Sequence, residues 1–390
     1  MGKKVVWAAA VILAVSGARA EEGRIPIYEP VTLDGTAGNI SGNYIVTRDI
    51  TTTTGIPAIT VLGAADQTVE IDLNGFTLTG DDNSPAVISV SGLASFTLRN
   101  GSIVSHHDSA DTVKITGTAA DDDRAVIERV KVKGGDEGIF LDNITSFVVR
   151  DNVVVEVLGS GIRIADNDAG SDELTGLIEG NVLRETEIGI EIRDINKAIT
   201  VRNNHVVNPY NVALIGIRAR YARSLIIEGN NIAGGGVGIE IGDSGLGGGS
   251  GCDECLIANN VVSNSAVSGM QFFDVDESTI WNNVANSNNE YGLDLNESDR
   301  NFIDHNHFSR NDKFGIYIRS NSVSNSYGRS VLRDNNPDPP VEVCAGTPGS
   351  PCGAPAVCDE TGLDPASTDP AHREANRSFG DNSIDAPGGC

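Results

Sequence analysis

The chain has 390 residues, 45 of them Gly, only 5% aromatic residues and a formal net charge of −26. It is long enough for one large or two ordinary domains and too apolar to be disordered. A negative balance of this size repels nucleic acid and anionic membrane, so neither is an expected partner, and it leaves a strongly anionic ligand only where Lys and Arg gather locally.

The first twenty residues, MGKKVVWAAAVILAVSGARA, place Lys3 and Lys4 ahead of an apolar run from Val5 to Val15 and end on the small-residue triplet Ala18-Arg19-Ala20. That pattern is a cleavable secretory signal, residues 1–20, and it predicts a secreted or periplasmic protein. No apolar run in the chain is long enough to be a transmembrane segment. Residues 21–45 are expected to form an N-terminal cap.

From there the chain repeats itself. A unit Ile/Val-x-x-Asn-x-apolar returns as VRDNVV, IEGNVL, VRNNHV, IEGNNI, IANNVV, IWNNVA and IDHNHF, with its Asn at 152, 181, 204, 230, 260, 283 and 306. Between these falls a second unit, Gly-apolar-x-apolar, beginning at Gly138, Gly161, Gly189, Gly216, Gly238, Gly269, Gly292 and Gly315. Successive members are 22 to 31 residues apart and return repeatedly to 23. So loose a spacing excludes a strict hexapeptide register, is too short for propeller blades, and fits short period-two strands joined by variable turns and stacked coil on coil. In such a stack the shared Asn side chains form a ladder. The residue before each is the local turn residue: Asp151, Gly180, Asn203, Gly229, Asn259, Asn282 and His305. The Gly series is expected to mark a second bend that requires positive φ.

These two units, with the opening coils IDLNGFTLTG (71–80) and FTLRNGSIV (96–104), resemble the right-handed parallel β-helix proteins of the pectate-lyase-like superfamily. The resemblance implies an all-β, single-stranded solenoid over residues 46–335, of about a dozen coils. At the usual strand spacing of about 4.8 Å the rod is about 60 Å long. Residues 336–390, rich in Pro, Gly and Cys, are expected to form a disulfide-tied cap over the last coil. The six cysteines fit an oxidising compartment, Cys252 and Cys255 forming a disulfide in preference to a redox or zinc site.

Period-two alternation places the third residue of each Gly unit outward: Phe140, Arg163, Glu191, Arg218, Glu240, Gln271, Asp294 and Tyr317. On the Asn units the outward row is Arg150, Glu179, Arg202, Glu228, Ala258, Trp281 and Asp304. Both rows alternate Arg and Glu over four coils, which neighbouring parallel strands favour by pairing opposite charges. A binding role for the same rows has Arg163 and Arg218 holding acidic sugars and Trp281 or Tyr317 stacking on sugar rings.

A second constellation sits in loops of the early coils, where Asp81 and Asp82, then His106, His107 and Asp108, then Asp136 and Glu137 align in three consecutive turns beside Lys131 and Lys133. Lyase or epimerase chemistry at a uronic acid needs such groups. Lysines, or a Ca²⁺ held by Asp81, Asp82, Asp136 and Glu137, neutralise the carboxylate, while His106, His107, Asp108, Lys131 and Lys133 supply base and acid. Solvated loop tips are the plainer explanation. A further acidic row, Asp166, Asp194, Asp243 and Asp274, reads as turn capping or as shared calcium ligands.

The segment FIDHNHFS (302–309) is similar to the Trp-Ile-Asp-His segment of pectate lyases through Asp304 and His305. The Gly-His-Gly motif of polygalacturonases and the Asp-Pro-His motif of alginate epimerases are absent. The expectation is an exported β-helix that engages polysaccharide, leaning towards a polyuronide lyase or C5-epimerase, with a non-catalytic adhesin or cell-surface glycan-binding protein as the alternative. A third, a periplasmic metal-handling accessory like the copper-associated β-helix proteins, is weakened by only six scattered His and two Met.

Overall fold

The computed structural model describes residues 23–53, 55–118, 123–165, 175–195, 198–208, 214–242, 251–319, 322–333 and 335, with the backbone of 357–359, 377–379 and 383–384. The signal segment and most of the Cys-rich C-terminal segment lie outside the described residues. Among the described residues the regular elements are strands paired in parallel, each bonding to its equivalents on neighbouring coils. Among the described residues no helix is long and apolar enough to cross a membrane.

Each coil lays down three main strand segments, two of which run together in Arg124–Lys133, Val153–Ala165 and Val182–Ile195. The first leads into the ladder Asn, as in Ser146–Arg150, Thr175–Glu179 and Ile199–Arg202. A second follows the Asn, as in His205–Val207 and Asn231–Ala233. The third is the Gly unit, as in Ile139–Asp142 and Val237–Ile241. The strands form because β-branched residues alternate with polar ones, so Ile139 and Leu141 are fully buried while Phe140 between them points out. The inward set builds one continuous apolar column, with Phe96, Phe147, Phe272 and Phe308 among its largest fully buried side chains. Parallel pairing begins at Ile25, opposite Tyr44, within the segment expected to act as a cap. At the other end, Val357–Asp359, Arg377–Phe379 and Ser383–Ile384 pair with the strands of the last coil.

The Asn ladder is built as its spacing implies. Asn204 is 1% exposed. Its Nδ2 donates to Ile178 O at 2.9 Å and to Asn230 Oδ1 at 3.0 Å, and its own Oδ1 accepts from the backbone N and the Nδ2 of Asn181, both at 3.0 Å. One side chain therefore satisfies groups on both neighbouring coils, and the pattern holds from Asn152 to Asn306, where Ser330 Oγ takes the last position. The turn residues before each ladder Asn all have positive φ, from 53° at Asn282 to 66° at Gly180.

The Gly series departs from expectation. None of the eight unit-opening Gly, from Gly138 to Gly315, has positive φ. What demands Gly there is the close approach of successive coils: a Cβ on Gly189 would lie 2.4 Å from Gly216 O, and one on Gly216 would lie 2.5 Å from Gly238 O. The Gly positions do line up one above another, but through lack of space rather than a left-handed bend.

Further ladders lie outside the two repeated units. Asn288, Asn311 and Asn335 form a second amide ladder with Nδ2 to Oδ1 distances of 2.8 and 3.0 Å. Ser278, Asn301 and Asn325 form another, beside the pair Cys252 and Cys255, whose sulfurs lie within bonding distance and whose Cα atoms are 6.1 Å apart.

Candidate functional site

Register assigns each predicted site residue to a face. Lys114, Phe140, Arg163, Glu191, Arg218, Glu240, Gln271, Asp294 and Tyr317 are successive Cα partners, so they form one straight outward row along the Gly-unit face. Trp281 stands on a different face, between Ala258 and Asp304 in the Asn-unit row. Lys131 and Lys133 lie on the strand that follows the early Asn corner. The substrate-binding set is thus divided: Arg163, Arg218 and Tyr317 share a face, and Trp281 does not.

The early loops stack as aligned. Gly80 N donates to Val104 O, Ser105 N to Lys133 O, and Asp136 N to Ala110 O, so the turns carrying Asp81, His106 and Asp136 succeed one another coil by coil. Their side chains are nonetheless engaged locally. Asp81 accepts from Ser84 Oγ at 2.6 Å and from Gly55 N at 3.0 Å. The Ser84 hydroxyl, opposed by some burial and aided by Gly55, holds its carboxyl below the ordinary range. His107 Nδ1 accepts from Ser109 N at 3.1 Å, and Lys133 Nζ pairs with Glu156 at 2.8 Å. Asp82, His106, Asp108, Lys131 and Asp136 are exposed, and among the described residues no hydrogen bond or ion pair joins them to one another. Glu137 is buried instead, its Oε2 accepting from Ser160 N at 2.8 Å and its Oε1 from Arg163 Nη1 at 2.8 Å. Among the described residues no group of three or more His, Cys, Asp or Glu side chains could hold a metal ion. In the second acidic row Asp194 and Asp274 have positive φ, as turn residues do, and Asp166 and Asp243 lie outside the described residues.

The Gly-unit row carries two charged centres. At its early end Arg163 reaches Glu137 and, at 3.5 Å, Glu191, while Ser160 Oγ donates to Glu191 at 3.0 Å. The Phe140 ring has Lys114 Nζ and the Arg163 guanidinium each at 5.1 Å from its centroid. Burial pushes the Glu137 carboxyl up, against the pull of Arg163, and burial likewise raises Asp111, against Lys114.

The late end is more aromatic. Tyr291 and Tyr317 stack with centroids 4.6 Å apart and planes within 9°, and Phe314 lies parallel at 6.0 Å from Tyr317. Beside them Asp294, only 1% exposed, takes a two-pronged pair from Arg319, Nε to Oδ1 at 3.0 Å and Nη2 to Oδ2 at 2.7 Å. Burial pushes the Asp294 carboxyl up, and the Arg319 fork opposes it. Alternation placed Asp294 and Glu191 outward, as they are, but both are covered by the arginines that neighbouring coils lay over them. Tyr291 and Phe314 were missed, although each directly precedes a unit Gly, at 292 and 315, in successive coils.

On the Asn-unit face Trp281 and Phe302 are each 40% exposed, Trp281 meets the His305 ring edge-on at 6.1 Å, and Asp304 is buried between His305 Nδ1 at 2.8 Å and Arg329. Asp304 and His305, the pair similar to the pectate-lyase segment, are thus in contact, with the carboxylate committed to an arginine. The metal-handling possibility finds no soft-ligand cluster among the described residues: Met270 is fully buried in the core, and the described histidines are spread over several coils.

Comparison with known proteins agrees with this architecture. A family model described as right handed beta helix region matches residues 215–346, and one described as periplasmic copper-binding protein (NosD) matches residues 68–246. No curated protein matches the sequence. Among solved structures, the A-module of mannuronan C-5 epimerase AlgE6 from Azotobacter vinelandii is similar at 14% identity and a TM-score of 0.55, over 89% of this chain and 92% of that one. The A-module of AlgE4 from the same organism has 14% identity and a TM-score of 0.40 over 76% and 86% of the two chains. The Dettilon tailspike protein has 15% identity and a TM-score of 0.40 over 88% of this chain and 62% of its own. With its parallel strands stacked coil on coil and its repeats matched by these models, the chain is a right-handed parallel β-helix repeat protein.

Proposed function

We propose that this protein is an exported β-helix that engages polysaccharide along its Gly-unit face, as a cell-surface or extracellular glycan-binding protein. The observation that carries the reading is the straight outward row that reaches Tyr317, whose ring lies parallel to those of Tyr291 and Phe314, with the buried Asp294 carboxylate and the part-exposed Arg319 guanidinium beside them. A flat aromatic surface with a polar rim suits the apolar face and hydroxyl edge of a sugar ring, and a row that repeats at each coil suits a polymer. The N-terminal pattern of Lys3, Lys4, an apolar run and Ala18-Arg19-Ala20 supports export. Affinity electrophoresis of the mature chain through gels containing neutral and acidic polysaccharides tests the reading. Retardation by at least one is expected, and uniform migration in all of them would contradict it.

The stacking of the Asp81, His106 and Asp136 turns on consecutive coils favours a second reading, a polyuronide lyase or C5-epimerase. In that reading Lys131 and Lys133 neutralise the substrate carboxylate, while His106, His107 and Asp108 exchange the C5 proton. Incubation with alginate and pectate, with and without EDTA, separates the readings. The ultraviolet absorbance of unsaturated uronate reports elimination and proton NMR reports C5 inversion. Turnover abolished in both His106→Ala and Lys133→Ala supports the enzyme, and binding without turnover supports the first reading.

A further inference from the structure

We infer that the late-coil end of the Gly-unit face takes an uncharged, hydroxyl-rich glycan rather than an anionic one, an assignment that rests on the proposed glycan-binding role of that face. The cations there are already neutralised. Arg319 grips Asp294 with two hydrogen bonds while lying 5.4 Å from the Tyr317 ring centroid, and Lys313 Nζ pairs with Glu290 at 2.8 Å while lying 5.1 Å from the Tyr291 centroid. The same holds towards the other end of the row, where Arg218 pairs with Glu240 at 2.7 Å, Arg163 with Glu137 at 2.8 Å and Lys114 with Asp111 at 3.3 Å. A uronate or sulfate would have to share one of these cations with the carboxylate already bound to it, setting a second negative charge beside a buried Asp294 or Glu137, in a molecule whose net charge is −26.

A neutral sugar meets no such obstacle. The three rings offer a continuous aromatic surface, part-exposed at Phe314 and Tyr317, for the C–H face of a pyranose. The polar groups around it keep unused hydrogen-bonding capacity, because a guanidinium has five N–H donors and Asp294 engages only two of those on Arg319. Hydroxyls, which donate and accept, can bond to the outer edge of an ion pair without breaking it. The pairs therefore act as rigid neutral rims that hold the rings in place and discriminate against charge.

The test is isothermal titration of the mature chain with neutral hexaoses, namely cello-, manno-, xylo- and malto-oligosaccharides, and with oligoalginate, oligogalacturonate and heparin fragments, each at low and high salt. The expected result is binding of at least one neutral hexaose with an affinity insensitive to salt, reduced tenfold or more in Tyr317→Ala and in Phe314→Ala and retained in Tyr317→Phe. Far-UV circular dichroism and denaturation midpoints confirm that each variant is folded. Salt-sensitive binding of a uronate or sulfated fragment that is lost in Tyr317→Ala would overturn the neutral assignment while leaving glycan binding by this face intact. Neutral binding unchanged in both alanine variants would overturn the location. Binding to neither class would overturn the parent reading and this one together.

Discussion

Replacing Asn204 with Ala removes an amide that serves three coils at once, and the structure sets the cost. Asn204 Oδ1 is the acceptor for both the backbone N–H and the Nδ2 of Asn181, and its Nδ2 is a donor to Ile178 O and to Asn230 Oδ1. Asn230 Oδ1 keeps one partner in the variant, the backbone N–H of Asn204 at 3.0 Å. The backbone donor of Asn181 keeps none and its Nδ2 loses one of two, on a residue with no exposed surface. At roughly 1 to 3 kcal/mol for each buried donor left unsatisfied, the loss is about 4 kcal/mol. The neighbouring Asn203 is exposed and has a φ of 55°, so Asn203→Ala should cost only about 1 kcal/mol, the strain of a left-handed residue without Asn or Gly. The assay is urea denaturation of the mature chain followed by far-UV circular dichroism, comparing midpoints and slopes, since a stack of repeats can lose cooperativity and unfold in stages. If Asn204→Ala and Asn203→Ala shift the midpoint equally, the ladder is not the element that ties coil to coil.

Three further outcomes rest on particular contacts. Gly216→Ala forces a Cβ to 2.5 Å from Gly238 O and should destabilise by about 3 kcal/mol or abolish soluble expression, whereas Gly75→Ala, with φ of 83° and open space around it, should remain soluble with a smaller loss. Burial pushes the Glu128 carboxyl up, but Arg150 and then Arg129 outweigh it and leave it below its ordinary value. Its contribution is thus complete above the unfolded carboxylate range and lost as pH falls through the folded value, so Glu128→Gln should flatten the acid limb of the midpoint against pH curve. An unchanged acid limb would contradict the pairing. Asp294→Asn should leave the fold intact yet free Arg319, and oligouronate, excluded by the wild type, should then bind in titration; continued exclusion would show that Asp294 does not set charge preference.

Much of this architecture was readable from residue order, and the reasons are specific. The ladder Asn at 204, 230 and 260 could be found because a buried amide that must bond to its own equivalent leaves little freedom in identity and more in spacing. The outward rows could be found because strands alternate, which fixed the side on which Arg163, Glu191 and Arg218 lie. What alternation cannot convey is coverage: Glu137, Glu191 and Asp294 sit outside the core yet are buried, since a long arginine from a neighbouring coil folds over each. The Gly series had the right positions and the wrong cause, because positive φ and a missing Cβ both select Gly and only coordinates separate them. The aromatic stack was hidden because Tyr291 and Phe314 fall in turns, where period two no longer applies, and the ladder of Asn288, Asn311 and Asn335 was hidden because it lacks a flanking apolar motif.

Whether the Gly-unit face is the working surface is tested most directly by a crystal structure of the mature chain soaked with the oligosaccharide it binds best. Sugar density along the row from Gln271 to Tyr317, with a ring against Phe314 or Tyr317, is the predicted result. Density on the Trp281 and Phe302 face, or in the turns of His106 and Asp136 with none on the row, would contradict it.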